Sequence, residues 1–204
     1  MPAIKVQVTG VTYGLLPKER LDALADGVFA FAMTLLVVNV ELPDNFRPDN
    51  AAELAQALFD LSDTFLAYVI TFVVLAGFWI WRIKGNDLSV ASSALVWIVL
   101  AHLFFVTLMP FSMTIIGRYD FAPAIWMYSG NMILLALTAI GIGLISARDA
   151  GRQFLLRDVS GYVLLIGSAI LSIAIAEFSV DYAMLAYLVN LAAPIFGPRH
   201  QPAK

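Results

Sequence analysis

Polar side chains interrupt the first long apolar stretch of the chain, and their types and spacing limit what it can do. The stretch reads Arg20-Leu-Asp22-Ala-Leu24-Ala25-Asp26-Gly27-Val-Phe-Ala30-Phe31-Ala-Met-Thr34-Leu35-Leu-Val37-Val38-Asn39-Val-Glu41. As a helix, the run from Gly27 to Val38 covers about 18 Å, against a hydrocarbon core of about 30 Å. A helix that crosses a bilayer here places Asp26 or Asn39 at or inside the boundary. Lipid solvates neither, so part of the helix surface must face protein or water. Gly27, Phe31, Thr34, Leu35 and Val38 recur at helical spacing and share one face. Ala23, Gly27, Ala30 and Thr34 form a small-residue stripe that allows close helix approach. Symmetry-related copies of such a helix could surround a narrow pore, constricted by bulky apolar rings with Thr34 hydroxyls alongside. The alternative is a packed helix in which Thr34 bonds back to the Ala30 carbonyl.

The charges need partners. Asp22 and Asp26 lie four apart, which puts two like charges on one face and calls for a nearby cation. Arg20 is six residues from Asp26, too far around the helix to pair within it. Arg82 and Lys84, on the same side of the membrane, are the candidate partners for Asp26. Arg20 can instead snorkel to the headgroups, which the short Asp26 side chain cannot do. His102 lies mid-segment between Ala101 and Leu103. Such a histidine is either a pH-responsive or proton-relaying group, or a neutral one hydrogen-bonded within a bundle. Pro110 is expected to kink or break its helix near Met109, and Asn131 and Asn190 are expected to bond between helices.

These residues must be positioned by membrane-spanning elements. The chain has 204 residues, 61% hydrophobic and 13% charged, with formal net charge −3 and mean hydropathy +0.85. Soluble domains are closer to half apolar and a quarter charged, so composition points to an integral membrane protein. Six apolar segments emerge, at about 20–42, 60–83, 89–117, 121–146, 160–177 and 180–197. The expected fold class is all-α with six transmembrane helices in one bundle. Residues 1–17 form an expected N-terminal tail without a signal peptide, briefly extended at Ile4 to Val8; residues 18–198 form the membrane domain and 199–204 a short tail. Asn50-Ala-Ala-Glu53 resembles a capping box opening a helix that would run to Ile83, about 50 Å. The last two segments form a tight hairpin across Glu177 to Asp181.

Of the twelve basic residues, ten fall on one side if six spans are counted from an internal N-terminus. Only Arg47 and Arg118 fall on the other, so both termini are expected to be cytoplasmic. The opposite side collects Glu41, Asp44, Asp49, Glu53, Asp60, Asp120, Glu177 and Asp181, either a surface that favours cations or an ordinary solvated loop face.

What is missing narrows the classes further. Cysteine is absent and histidine occurs twice, leaving no thiolate chemistry, no cysteine metal site and no His-Glu-x-x-His motif. There is no Gly-x-Ser-x-Gly elbow, no phosphate-binding glycine loop, no Thr-Val-Gly-Tyr-Gly filter and no arginine at every third position. The reading is therefore a non-enzyme without cofactor or metal and without nucleic-acid binding.

With these residues laid out, the chain resembles the bacterial homologues of the endolysosomal potassium channel called transmembrane protein 175. That family opens its first helix with Arg-x-x-x-Phe-Ser-Asp, then Ala or Gly, an apolar stretch and Thr-Leu-Leu-Val. The corresponding residues here are Arg20 to Asp26, Gly27, and Thr34-Leu-Leu-Val37. The run from Leu103 through Pro110 to Tyr119 is similar to the family's Leu-Pro-Phe-x-Thr helix end. The resemblance implies a homotetramer of six-helix subunits with the first helices lining the pore. Carried over by position, it implies Phe31, Leu35 and Val38 as constriction residues, with Thr34 adjacent and associated with selectivity. It also implies a polar network of Arg20, Asp26 and Trp79 at the cytoplasmic end. Leu24 and Ala25 depart from Phe-Ser, and Phe31 stands where the family has Ile or Leu. The family's histidines are missing after Trp79.

The resulting expectation is a potassium-permeable channel passing monovalent cations across the bacterial plasma membrane. The rivals are a proton or cation leak using Asp26 and His102, and a non-conducting scaffold.

Overall fold

The computed structural model describes residues 16–42, 45–84, 90–154 and 159–191. The elements are β1 (Leu16–Pro17), α1 (Lys18–Leu36), α2 (Ala51–Asp60), α3 (Ser62–Lys84), β2 (Val90–Ala91), α4 (Ser93–Arg118), α5 (Ala122–Asp149) and α6 (Ser160–Ala176). A 3₁₀ turn, Val37–Asn39, extends α1, and another occupies Ala183–Tyr187. Among the described residues, four helices are long and apolar enough to cross a membrane: α1 with its 3₁₀ turn, α3, α4 and α5. The α6 helix has 17 residues. The expected sixth segment, 180–197, is described only to residue 191 and opens as a 3₁₀ turn. The extension proposed at Ile4 to Val8 lies outside the described residues.

Local chemistry sets the boundaries. Asn50 accepts from the Glu53 amide at 2.9 Å, and Glu53 Oε2 accepts from the Asp49 amide at 2.7 Å. The cap is therefore reciprocal as expected, but its return bond falls one residue earlier than in the standard box. The helix that it starts does not run on to Ile83. It ends at Asp60, with Leu61 closing α2 and its carbonyl accepting from Phe65 in the first turn of α3. The unbroken 50 Å helix is thus corrected to two helices. The α4 helix starts at Ser93, because the Ser92 hydroxyl caps the Leu95 amide (3.2 Å) and Val90–Ala91 is held in the β1–β2 ladder. At the end of α5, Gly151 adopts φ 64°. The Arg152 amide reaches the Ala147 carbonyl and the Gly151 amide reaches Arg148, a Schellman closure that only glycine adopts without strain.

Pro110 does not end α4, which runs through it to Arg118. Side-chain donors surround this point: Ser112 bonds Leu108 O, Thr114 bonds Pro110 O, and Asn131 bonds Phe105 O. Hydroxyl and amide groups thereby serve backbone carbonyls near the proline at a depth where water is scarce.

The pairings fix the packing directions. Trp79 meets Asp26 and Arg82 meets Asp22, so α3 runs antiparallel to α1. Asn39 meets Thr114 and Phe29 meets His102, so α4 runs parallel to α1. Asn131 and Thr138 on α5 meet α4 in antiparallel register. The core is built from Leu21, Ala25, Phe29, Ala32 and Leu36 of α1 packed with α3, α4 and α5. A buried hydroxyl chain adds specificity. Thr71 and Tyr128 are 2.7 Å apart, Tyr187 donates to Ser129 at 2.9 Å, and Asn190 donates to Ser168 at 2.7 Å. The last two bonds fold the final segment back onto α5 and α6.

Candidate functional site

The two faces of α1 have different fates. The Leu21, Ala25, Phe29, Ala32 and Leu36 face is buried in the chain's own bundle. The opposite face carries Leu24, Phe31, Thr34, Leu35 and Val38, and none of the described residues covers it: Phe31 is 63% exposed, Leu35 37% and Val38 61%. The small stripe of Ala23, Gly27, Ala30 and Thr34 is exposed as well, and a Cβ at Gly27 would meet no atom within 4 Å. The Thr34 hydroxyl donates to the Phe31 carbonyl at 2.8 Å, not to Ala30, which corrects the acceptor expected for a back-bonded threonine.

At the end of the bundle where α1 begins, the charges are paired differently from the sequence expectation. Trp79 Nε1 donates to Asp26 Oδ1 at 3.0 Å. Arg82 does not pair with Asp26; its Nη2 lies 2.7 Å from Asp22 Oδ1 and its guanidinium also reaches the Leu21 carbonyl. Lys18, which is buried, adds a second pair to Asp22 at 2.9 Å. Register explains the exchange. Asp22 and Asp26 are one turn apart on α1, and Trp79 and Arg82 are one turn apart on antiparallel α3, so the four side chains match as 22 with 82 and 26 with 79. The Lys18–Asp22–Arg82 cluster is not evident from α1 alone, where Asp26 is the deeper acid. The four-residue and three-residue spacings, read antiparallel, carry the signal. Arg20 lies on the exposed face, and among the described residues it makes no hydrogen bond or ion pair within the chain. The structure therefore joins Asp26 and Trp79 and leaves Arg20 apart.

A prediction arises here. Asp26→Asn keeps an acceptor for the Trp79 indole and is expected to lower unfolding free energy less than Trp79→Phe, which loses the bond and costs about 0.6 kcal/mol, a typical interhelical value in bilayers. Denaturation in detergent micelles would check the order. Asn costing more than Phe would show that the charge of Asp26 matters more than its bond.

His102 faces away from this site. It is buried between α1, α3 and α5: Nδ1 lies 2.8 Å from Thr138 Oγ1, and its ring packs against Phe29 and Phe78 at 6.0 and 5.3 Å. Among the described residues no hydrogen bond links it to Asp26. At the opposite end of α1, Asn39 Oδ1 accepts from the Thr114 hydroxyl and Asn39 Nδ2 reaches Pro110 O at 3.4 Å.

The uncovered α1 face, the Asp26–Trp79 bond and the Pro110 helix all lie within one contiguous stretch of chain. The sequence model of the family described as "Endosomal/lysosomal potassium channel TMEM175" matches residues 20–110. Over these residues the chain is similar to that family. A protein of Chamaesiphon minutus called a potassium channel is 28% identical over 124 residues, covering 58% of this chain and 60% of the relative. One from Chryseobacterium sp. is 29% identical over 106 residues, 52% of each chain. One from Streptomyces collinus is 36% identical over 61 residues, 30% of this chain and 28% of the relative. The matched stretches thus span between about a quarter and three-fifths of these curated relatives. The crystal structure of a lysosomal potassium-selective channel TMEM175 homolog from Chamaesiphon minutus aligns with TM-score 0.71 and 20% identity, over 87% of this chain and 96% of that one. The chain has the fold of that channel.

Proposed function

We propose that the chain assembles as a homotetrameric, potassium-permeable cation channel of the bacterial plasma membrane, with six membrane segments per subunit and both termini cytoplasmic. Its uncovered α1 face lines the pore. Phe31, Leu35 and Val38 form apolar rings that ions pass only when the rings widen and wet, and Thr34 stands beside them. Transport is passive and needs no cofactor. The observation that carries this reading is the composition of the uncovered face. A lipid-facing surface has no use for Arg20, Gly27, Thr34 and a small-residue stripe, whereas a face turned to water and to copies of itself does. The potassium-channel relatives and the shared fold support the same reading.

The test is ion flux from liposomes containing only this protein, under a potassium gradient and then a sodium gradient. Potassium flux exceeding sodium flux is expected. Its absence from folded, reconstituted protein would favour a non-conducting scaffold. His102→Gln is expected to leave potassium flux within about twofold, because His102 is packed in the bundle core away from the proposed pore. Proton flux that disappears with His102→Gln would instead identify a proton leak.

A further inference from the structure

We propose that Asn39 and Thr114 form a clasp that positions the narrow part of the α1 face and so contributes to ion discrimination. This rests on the channel reading above. The α1 helix ends at Leu36 and tightens into the 3₁₀ turn Val37–Asn39. The last carbonyls of a helix lack intrahelical donors. Asn39 Nδ2 reaches back to two of them, Leu35 O at 3.5 Å and Leu36 O at 3.3 Å. The same amide reaches across to Pro110 O on α4, and its oxygen accepts from the Thr114 hydroxyl, which also lies 3.0 Å from Pro110 O.

One side chain thus holds the end of α1 and the turn after it, which carry Leu35 and Val38, and ties them to the place where α4 lacks an amide donor. Pro110 has no N–H, so the Val106 carbonyl loses its helical partner there and α4 is softened. Leu36 is packed in the core, but beyond it packing is incomplete. A cavity of about 290 Å³ adjoins the clasp, lined by Asn39, Glu41, Thr64, Thr114 and Arg118 among others. The Glu41–Arg118 pair beyond it is exposed at 3.3 Å, the kind of pair that holds little. The angle at which Leu35 and Val38 meet the pore axis therefore depends on the Asn39 bonds. Asn39 and Thr114 are positioning residues; neither need touch the ion.

The test is the ratio of potassium to sodium flux in liposomes at matched amounts of folded protein. Thr114→Val keeps the shape and removes the hydroxyl. It is expected to lower the ratio about threefold, the scale of one interhelical hydrogen bond in a bilayer. Thr114→Ser restores the hydroxyl and is expected to restore the ratio. Asn39→Leu should lower it similarly, and the double variant should be no worse than Asn39→Leu alone, since both cut the same tie. If Thr114→Val does not fold, Thr114→Ala is read in the same way. An unchanged ratio in Thr114→Val, while Leu35→Ala changes it, would overturn the clasp and leave the channel reading standing. A ratio unchanged in Leu35→Ala as well would overturn the pore assignment of α1 and the clasp with it. Equal loss in Val and Ser would also overturn it, because the hydroxyl would then not be the cause.

Discussion

Leu35→Ala is expected to raise potassium flux about tenfold and to weaken the preference for potassium over sodium. The substitution trims a branched side chain to a methyl in every copy of α1. A ring that excludes water is a barrier because an ion must shed hydration to enter it. Lowering that barrier by about 1.4 kcal/mol is enough for a tenfold rise in rate. Phe31→Ala is expected to act in the same direction, since Phe31 is the bulkiest side chain on the uncovered face. Neither change touches the buried Leu21-to-Leu36 face, so folding should be spared. Tracer uptake into liposomes, normalised to folded protein, would check both. Flux and preference unchanged in both variants would remove these residues from the gate.

Asp22→Ala is expected to be the most destabilising single change among the charged residues of α1, costing on the order of 2 kcal/mol. It leaves Lys18 and Arg82 together without their shared acid, and the Arg82 side chain is only 10% exposed. Stranding a fully buried charge costs about 3–5 kcal/mol, and the smaller figure reflects Asp22 being about a third exposed (32%). Removing the cation as well should recover part of the loss, so Asp22→Leu combined with Arg82→Met is expected to be more stable than Asp22→Ala. Unfolding by denaturant in detergent micelles would measure both. An Asp22→Ala loss no larger than that of exposed Glu19→Ala would show that the cluster holds nothing together.

Some of this was legible in the residues alone. The stripe containing Phe31, Leu35 and Val38 could be read from spacing, and so could the Asn50 cap and the bridging roles of Asn131 and Asn190. Which face of α1 packs inside could not. Leu21, Ala25, Phe29, Ala32 and Leu36 recur at the same helical period, and a helix apolar nearly all round gives no contrast to choose by. The break at Leu61 left no mark because neither Leu61 nor Ser62 is a helix breaker. The 3₁₀ turn at Ala183–Tyr187 was hidden for the same reason: its residues suit an α-helix, and tertiary contacts decided otherwise. The partner of Arg82 depended on interhelical register, which no single-segment pattern contains.

The β1–β2 ladder has a mechanical consequence. Leu16 pairs with Ala91 and Pro17 with Val90, just ahead of α1 and α4. The first helix is therefore moored to the fourth at its start by this ladder and at its finish by Asn39. A rod pinned at both ends cannot swing like a door. What freedom it has is to bow or to turn about its own length. The middle of α1 is Gly27 to Phe31, where a Cβ at Gly27 would meet no neighbour and Phe31 stands on the uncovered face one turn on.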